Sequence, residues 1–257
     1  MEFIDTHTHL YLSDFNSDRT KVIENAIAAG VNMMLLPNID SKTIDQMMLL
    51  CEQYPKNCFP MIGLHPTSVK EDYLIHINLV RSNLKTHKFI AIGEVGIDLH
   101  WDKSFFDQQC EAFIAQLLMA REYSLPVVIH SRDSFREIIE ILKTNQTSTP
   151  YKGVFHSFSG NLEQANEAMS LGFMIGINGV VTFKNSAISE VIKEIPLANL
   201  LLETDSPYLT PVPYRGKRNE SSYLIYIASR IAGIKQISIE EVAMSTTNSA
   251  KSLFNLP

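Results

Sequence analysis

The sequence predicts a (β/α)8 TIM barrel, and three observations carry that expectation. Eight short β-rich runs recur along the 257 residues, segments of helical period separate them, and no glycine-rich loop follows the first run. Near-continuous apolar runs are the pattern of parallel strands covered on both faces, and a barrel of this kind takes about 250 residues. An open doubly wound sheet alternates in the same way. It places a Gly-rich phosphate turn after its first strand, where this chain has Thr6-His7-Thr8-His9.

Strands are expected at Phe3–His9, Met33–Ile39, Phe59–His65, Phe89–Ile97, Pro126–His130, Gly153–Phe158, Phe173–Val180 and Leu200–Asp205. After the first, Arg19–Ala29 has helical period, with Asp18 as its N-cap and Gly30 as the residue that ends it. Asp107–Tyr123 carries a long apolar stripe and stops before Pro126, and Leu162–Leu171 lies between Asn161 and Gly172. Ser238–Phe254 reads as an additional C-terminal helix. No linker, low-complexity tract or further repeat breaks the rhythm, so residues 1–257 are expected to form a single barrel domain.

Composition narrows the setting. An apolar fraction of 45% and a charged fraction of 19% are ordinary for a soluble globular chain. The formal net charge of −6 argues against a broad basic surface that coats nucleic acid. A local grip on a few phosphates stays open. Cys51, Cys58 and Cys110 are odd in number and form no C-x-x-C pair, so reduced thiols are expected. Asp5, His7 and His9 interrupt the N-terminus before any signal-like apolar run, and no run approaches the roughly 18 residues of a membrane span. The expected setting is cytoplasmic, with no membrane partner and with a monomer admissible.

The chemistry lies at the strand ends. His7 and His9 close the first expected strand, His65 the third, His130 the fifth and Asp205 the eighth, while Glu94 and His156 fall late in the fourth and sixth. In a barrel those ends converge on the face that carries active sites. Residues two apart in a strand point the same way, so His7 and His9 enter the interior side by side. A lone buried histidine is usually a satisfied structural residue, and H-x-H alone is a weak signal. Six metal-type side chains at one set of strand ends are hard to obtain from packing. Imidazole suits Zn²⁺, Mn²⁺ or Co²⁺, and carboxylates complete such sites. His76 and His87 fall in or near helices and read as surface residues. His100, beside Trp101 in the loop after the fourth strand, reads as packing or substrate contact at the mouth.

These residues sit in stretches that together resemble the TatD family of metal-dependent hydrolases among the amidohydrolase-like barrels. The stretches are Ile4-Asp5-Thr6-His7-Thr8-His9, Gly63-Leu64-His65-Pro66, Gly93-Glu94-Val95-Gly96-Ile97-Asp98 and His130-Ser131-Arg132. His156-Ser157-Phe158-Ser159-Gly160, Gly176-Ile177-Asn178-Gly179 and Glu203-Thr204-Asp205-Ser206-Pro207-Tyr208-Leu209 follow, leading to Arg215-Gly216-Lys217-Arg218-Asn219. The resemblance implies two divalent cations (Zn, Mn or Mg). His7, His9 and Asp205 would hold one, Glu94 would bridge both, and His130 and His156 would hold the second. His65 would stand near the substrate phosphate. It implies phosphoester hydrolysis, most of all a DNase of 3′–5′ exonuclease type acting on DNA or another phosphodiester. The chain departs from the family at Glu220-Ser221-Ser222, where a proline is common, and at Leu99, where an aromatic is common; both bear on substrate fit.

Two cations sharing one carboxylate can hold a water between them and activate it at neutral pH. Counting only Glu94 and Asp205 against them leaves the site net positive. Asp205 and Glu94 are the expected catalytic carboxylates, Asp205 as general base. Glu203 shares parity with Asp205 and is read either as orienting a histidine or as a structural ion pair. Arg215, Lys217 and Arg218 form a compact basic cluster just past Asp205, and Arg132 follows His130 by two. Arg132, Arg215 and Lys217 are candidate phosphate contacts. The alternatives are a D-aminoacyl-tRNA deacylase and another ester or amide hydrolase on the same scaffold. Relatives of the last kind bridge their metals with a carboxylated lysine late in the fourth strand, where this chain has Glu94; Lys88 lies at the strand's other end. A non-catalytic barrel would have lost a ligand, and all six are present.

Overall fold

In the computed structural model, which describes residues 1–257, strands and helices alternate through eight strands. The strands are β1 (Phe3–Asp5), β2 (Val31–Pro37), β3 (Cys58–Met61), β4 (Ile92–Asp98), β5 (Val127–Arg132), β6 (Gly153–Phe155), β7 (Phe173–Ile177) and β8 (Leu200–Leu202). The helices are α1 (Arg19–Ala28), α2 (Ile44–Gln53), α3 (Tyr73–Thr86), α4 (Phe106–Glu122), α5 (Phe135–Thr144), α6 (Leu162–Ser170), α7 (Ile188–Glu194), α8 (Leu224–Lys235) and α9 (Ile239–Phe254). The strands pair in parallel as β1-β2-β3 and as β4-β5-β6-β7-β8. Single bridges, Ile62 with Ile92 and Thr8 with Ser206, join the two sheets. At the second seam the Thr6 amide donates to Leu202 O and the Asp205 amide to His7 O, at 3.0 and 2.9 Å, so β8 returns to β1 and closes the ring.

The expected α/β barrel is therefore present, with shorter ladders than expected at the functional end. β1 stops at Asp5, β3 at Met61, β6 at Phe155 and β8 at Leu202, so His7, His9, His65, His156 and Asp205 all lie just beyond them. The expected seventh strand ends at Ile177, and Gly179–Thr182 turns into a short 3-10 segment instead. Extended polar chain looks like strand in sequence, but ladder hydrogen bonds give out where strands splay apart. Asp18 does precede α1, yet its side chain caps nothing and is drawn to Arg218 instead. Asn161 forms a full capping box with Gln164 on α6.

Core packing separates the two ends of the barrel. Ile4, Met33, Leu35, Met61, Val128, Val154 and Leu201 form an apolar plug, and Ala250 and Phe254 of α9 pack against it. The additional C-terminal helix thus covers the bottom. Residues of opposite parity, including Val127, Ile129, Phe155, Leu200 and Leu202, face the helices in the larger cluster. Side chains alternate along a strand, so Val128, Val154 and Leu201 set the parity that sends His130, His156 and Glu203 inward above the plug. One barrel end is greasy and the other is polar.

Candidate metal centre

β4 delivers the central carboxylate. Its pairing with β5 shifts between Ile92 and Val95, where three steps on β4 match two on β5. Such a bulge re-aims a side chain, and the residue there is Glu94. Gly96 follows with φ of +144°, and a Cβ on it would lie 2.1 Å from His130 O. Only glycine lets β4 approach β5 this closely.

Glu94 faces two groups of imidazoles with its two oxygens. Oε2 lies 3.1 Å from His7 Nε2 and 3.9 Å from His9 Nε2. Oε1 lies 2.8 Å from His130 Nδ1, 3.4 Å from His65 Nε2 and 3.7 Å from His156 Nε2. Asp205 Oδ1 closes the first group, 3.8 Å from His7 Nε2 and 3.6 Å from His9 Nε2, and stands 3.8 Å from His156 Nε2. All six residues read as ligands from the sequence converge here. His65 stands inside the donor cluster rather than beside it, and His156 groups with His7 and Glu94 while His130 groups with His65.

The donor set fits divalent cations. His7 Nε2 and His9 Nε2 are 3.3 Å apart, and bonds of about 2.1 Å at tetrahedral angles separate two ligand atoms by about 3.4 Å. The His9 tautomer is determined by its neighbour. Tyr11 OH donates to Pro37 O at 2.6 Å, so it accepts from His9 Nδ1 at 2.9 Å. That turns His9 Nε2 into the cluster, where the neutral ring would offer its lone pair. His7 Nδ1 is buried without a partner, and the His7 and His156 rings stack at 3.4 Å. Burial, with His156 beside it, pushes His7 down to about 4, so His7 stays neutral.

Carboxylates behind the rings were only partly anticipated. Asp98 Oδ2 meets His130 Nε2 at 2.9 Å, and Glu203 Oε2 lies 3.1 Å from His156 Nδ1. The second contact is close but off hydrogen-bond alignment, since neither atom finds a partner by that criterion. Of the two readings for Glu203, the placement behind a histidine is the one observed. A Cβ on Gly176 would sit 2.6 Å from Glu203 Oε2, so glycine makes the room. Burial opposes charge on His130 and His156, but Asp98 and Glu94 raise the first to about 9, and Glu203 and Glu94 raise the second to about 10. Burial also opposes charge on Glu94, yet His65, His7 and His156 hold it well below the usual carboxylate range. With Asp98 and Glu203 included, four carboxylates surround the centre. The expected net positive site is thereby corrected: two dications would only balance these charges.

Attraction for an anion must then come from the walls. A cleft of about 1180 Å³ opens over the centre, and Arg132, Lys184 and Arg215 line it. Lys184 carried no sequence signal, because only tertiary structure brings the segment after β7 to the mouth. Lys217 is not among the lining residues; its Nζ lies 5.5 Å from the Tyr214 ring centre. Arg218 leaves the expected cluster altogether, binding both Asp18 oxygens at 2.7 and 2.8 Å. His87 is exposed, as read; His76 is half-buried and bonds Ser41 at 3.0 Å. His100 is exposed and bonds Asp133 at 3.0 Å, away from the ligand cluster. No helix is long and apolar enough to cross a membrane.

A parallel barrel with imidazoles and carboxylates gathered at its C-terminal mouth defines the class of metal-dependent hydrolases. The family model described as TatD related DNase matches residues 4–255, and this chain belongs to that family. It is 41% identical over 253 residues, 98% of each chain, to the metal-dependent hydrolase YabD of Bacillus subtilis. The crystal structure of the TatD homologue YjjV of Escherichia coli superposes with a TM-score of 0.91 at 31% identity, over 99% of this chain and 98% of that one. At 13% identity and a TM-score of 0.71, over 98% of each chain, the phosphotriesterase homology protein of E. coli shares the fold.

Proposed function

We propose that this hydrolase cleaves phosphodiester bonds in DNA, as a deoxyribonuclease of 3′–5′ exonuclease type that uses two divalent cations. The observation that carries the reading is the division of Glu94, whose Oε2 faces His7 and His9 and whose Oε1 faces His130 and His65, with His156 between the two groups. His7, His9 and Asp205 would hold one cation, and His130 and His156, with His65 in reach, the other. Imidazole-rich donors suit Zn²⁺ or Mn²⁺, while Mg²⁺ serves many phosphoryl-transfer sites. When bound, the pair supplies water activation and charge neutralisation on the phosphate.

The chain's own groups do the rest. Asp205, with φ of +58° beyond β8, stands in the left-handed region that Asp tolerates better than most residues. Its carboxylate is oriented toward the centre and accepts the proton of the attacking water. Burial would raise its pKa, but His9, His156 and His7 hold it down, so it is ionised and ready as a base. Arg132, Lys184 and Arg215 receive the phosphate backbone at the cleft walls.

The test is digestion of end-labelled single- and double-stranded DNA by the purified protein, with metal analysis of the same sample. Mononucleotide release from the 3′ end is expected. Asp205→Asn should keep the fold by circular dichroism and lose about 10²–10⁴ in turnover. Turnover of D-aminoacyl-tRNA with no cleavage of any DNA would replace this reading.

A further inference from the structure

Trp101 is the only tryptophan of the chain and, at 71% exposure, the most exposed of its large hydrophobic side chains. An indole left in water forgoes a large burial gain, so its place at the cleft wall calls for an occupant. The loop that carries it is fixed at both ends. Asp98 Oδ1 accepts the His100 amide at 2.9 Å and the Trp101 amide at 3.4 Å, while Asp98 Oδ2 holds His130. One carboxylate therefore ties the indole's backbone to the metal centre. At the other end Lys70 pairs with Asp102 at 3.3 Å and lies over the Phe105 ring. The Arg132 guanidinium stands 5.3 Å from the indole centre, and Arg132 lines the same cleft.

We infer that Trp101 is a stacking platform for an unpaired base of the substrate strand, with Arg132 meeting the adjoining phosphate. The inference rests on the nucleic-acid reading above and deepens it. Aromatic rings beside cationic groups are the common grip on single-stranded nucleic acid, because every base has a π-face and every nucleotide a phosphate. A paired base hides its faces in the duplex, so the platform takes single strands or frayed ends.

The test uses the metal-loaded full-length protein and a phosphorothioate oligothymidylate, beside an abasic phosphorothioate strand of equal length. Because the chain has one tryptophan, indole emission reports on this position alone. The base-bearing strand should quench it saturably, and the abasic strand should not. By anisotropy of labelled strands, wild type should prefer the base-bearing strand about tenfold. Trp101→Ala should bring that ratio close to one, and Trp101→Phe should keep part of it. Equal quenching by both strands, an unchanged ratio in Trp101→Ala, or no binding of either strand overturns the inference. Base-dependent quenching by a wild-type protein that cleaves no unmodified strand upholds the platform and sinks the nuclease reading.

Discussion

The two sides of Glu94 hold their imidazoles by different means. On the deep side, His7 and His9 are buried; Tyr11 OH accepts a hydrogen bond from His9 Nδ1, while His7 Nδ1 has no partner and burial keeps His7 uncharged. On the other side, His130 and His156 are backed by the carboxylates of Asp98 and Glu203, which favour the protonated ring. His65 and His130 are also more open to the cleft. With His130 and His156 raised to about 9 and about 10, the open side must release protons to bind a cation. If two cations bind as proposed, affinity should be asymmetric, with the open-side cation the weaker and the more pH-dependent.

Glu94→Gln is the harshest test of this division, since it removes the charge both sides share. If two cations bind as proposed, metal content should fall from about two to below one per chain. Turnover should drop by more than the roughly hundredfold that loss of a ligand's outer partner costs. Metal analysis with a chromogenic phosphodiester checks both. Retention of two cations would mean that Glu94 does not link the halves. Asp98→Asn should strike only the open side, weakening one of two binding steps in calorimetry by about 10–100-fold. Equal weakening of both steps would erase the asymmetry.

How much of this was visible in the sequence depends on what kind of contact sets each residue. His7 and His9 were legible through strand parity, and their nitrogens do meet at 3.3 Å. Glu94, His130, His156 and Asp205 were legible because strand ends converge whatever the details of pairing. The grouping of His65 with His130 was not, because His65 is placed by a loop: its amide bonds Ile39 O at 2.8 Å, four residues past β3. Asp98 lay inside a quoted motif, yet its role needs the β4–β5 register, which pairs it with Arg132 and so leaves it diagonal to His130, within 2.9 Å of Nε2. Tyr11 gave no signal, since a single hydroxyl contact has no periodicity. Arg218 was misread for the opposite reason, as neighbours in a loop need not point the same way.

The loop after β8 offers the mildest test, and it also separates roles that adjacency confused. Arg215 lines the cleft over the Phe183 ring, whereas Arg218 pins the loop to Asp18 before α1. If Arg215 meets a phosphate, Arg215→Ala should flatten the slope of log affinity against log salt by about 0.7 for single-stranded DNA. Arg218→Ala should leave that slope alone and cost roughly 0.5 kcal/mol of stability, as expected for a partly exposed ion pair. The Arg218 hydrogen bond holds the Asp18 carboxyl below its usual range. The pair's contribution is therefore complete above the ordinary carboxyl pKa and fades as pH falls through the lowered one. Urea midpoints of wild type and Arg218→Ala should accordingly differ at pH 7 and converge toward pH 2. A flattened salt slope in Arg218→Ala with an unchanged one in Arg215→Ala would reverse the two assignments.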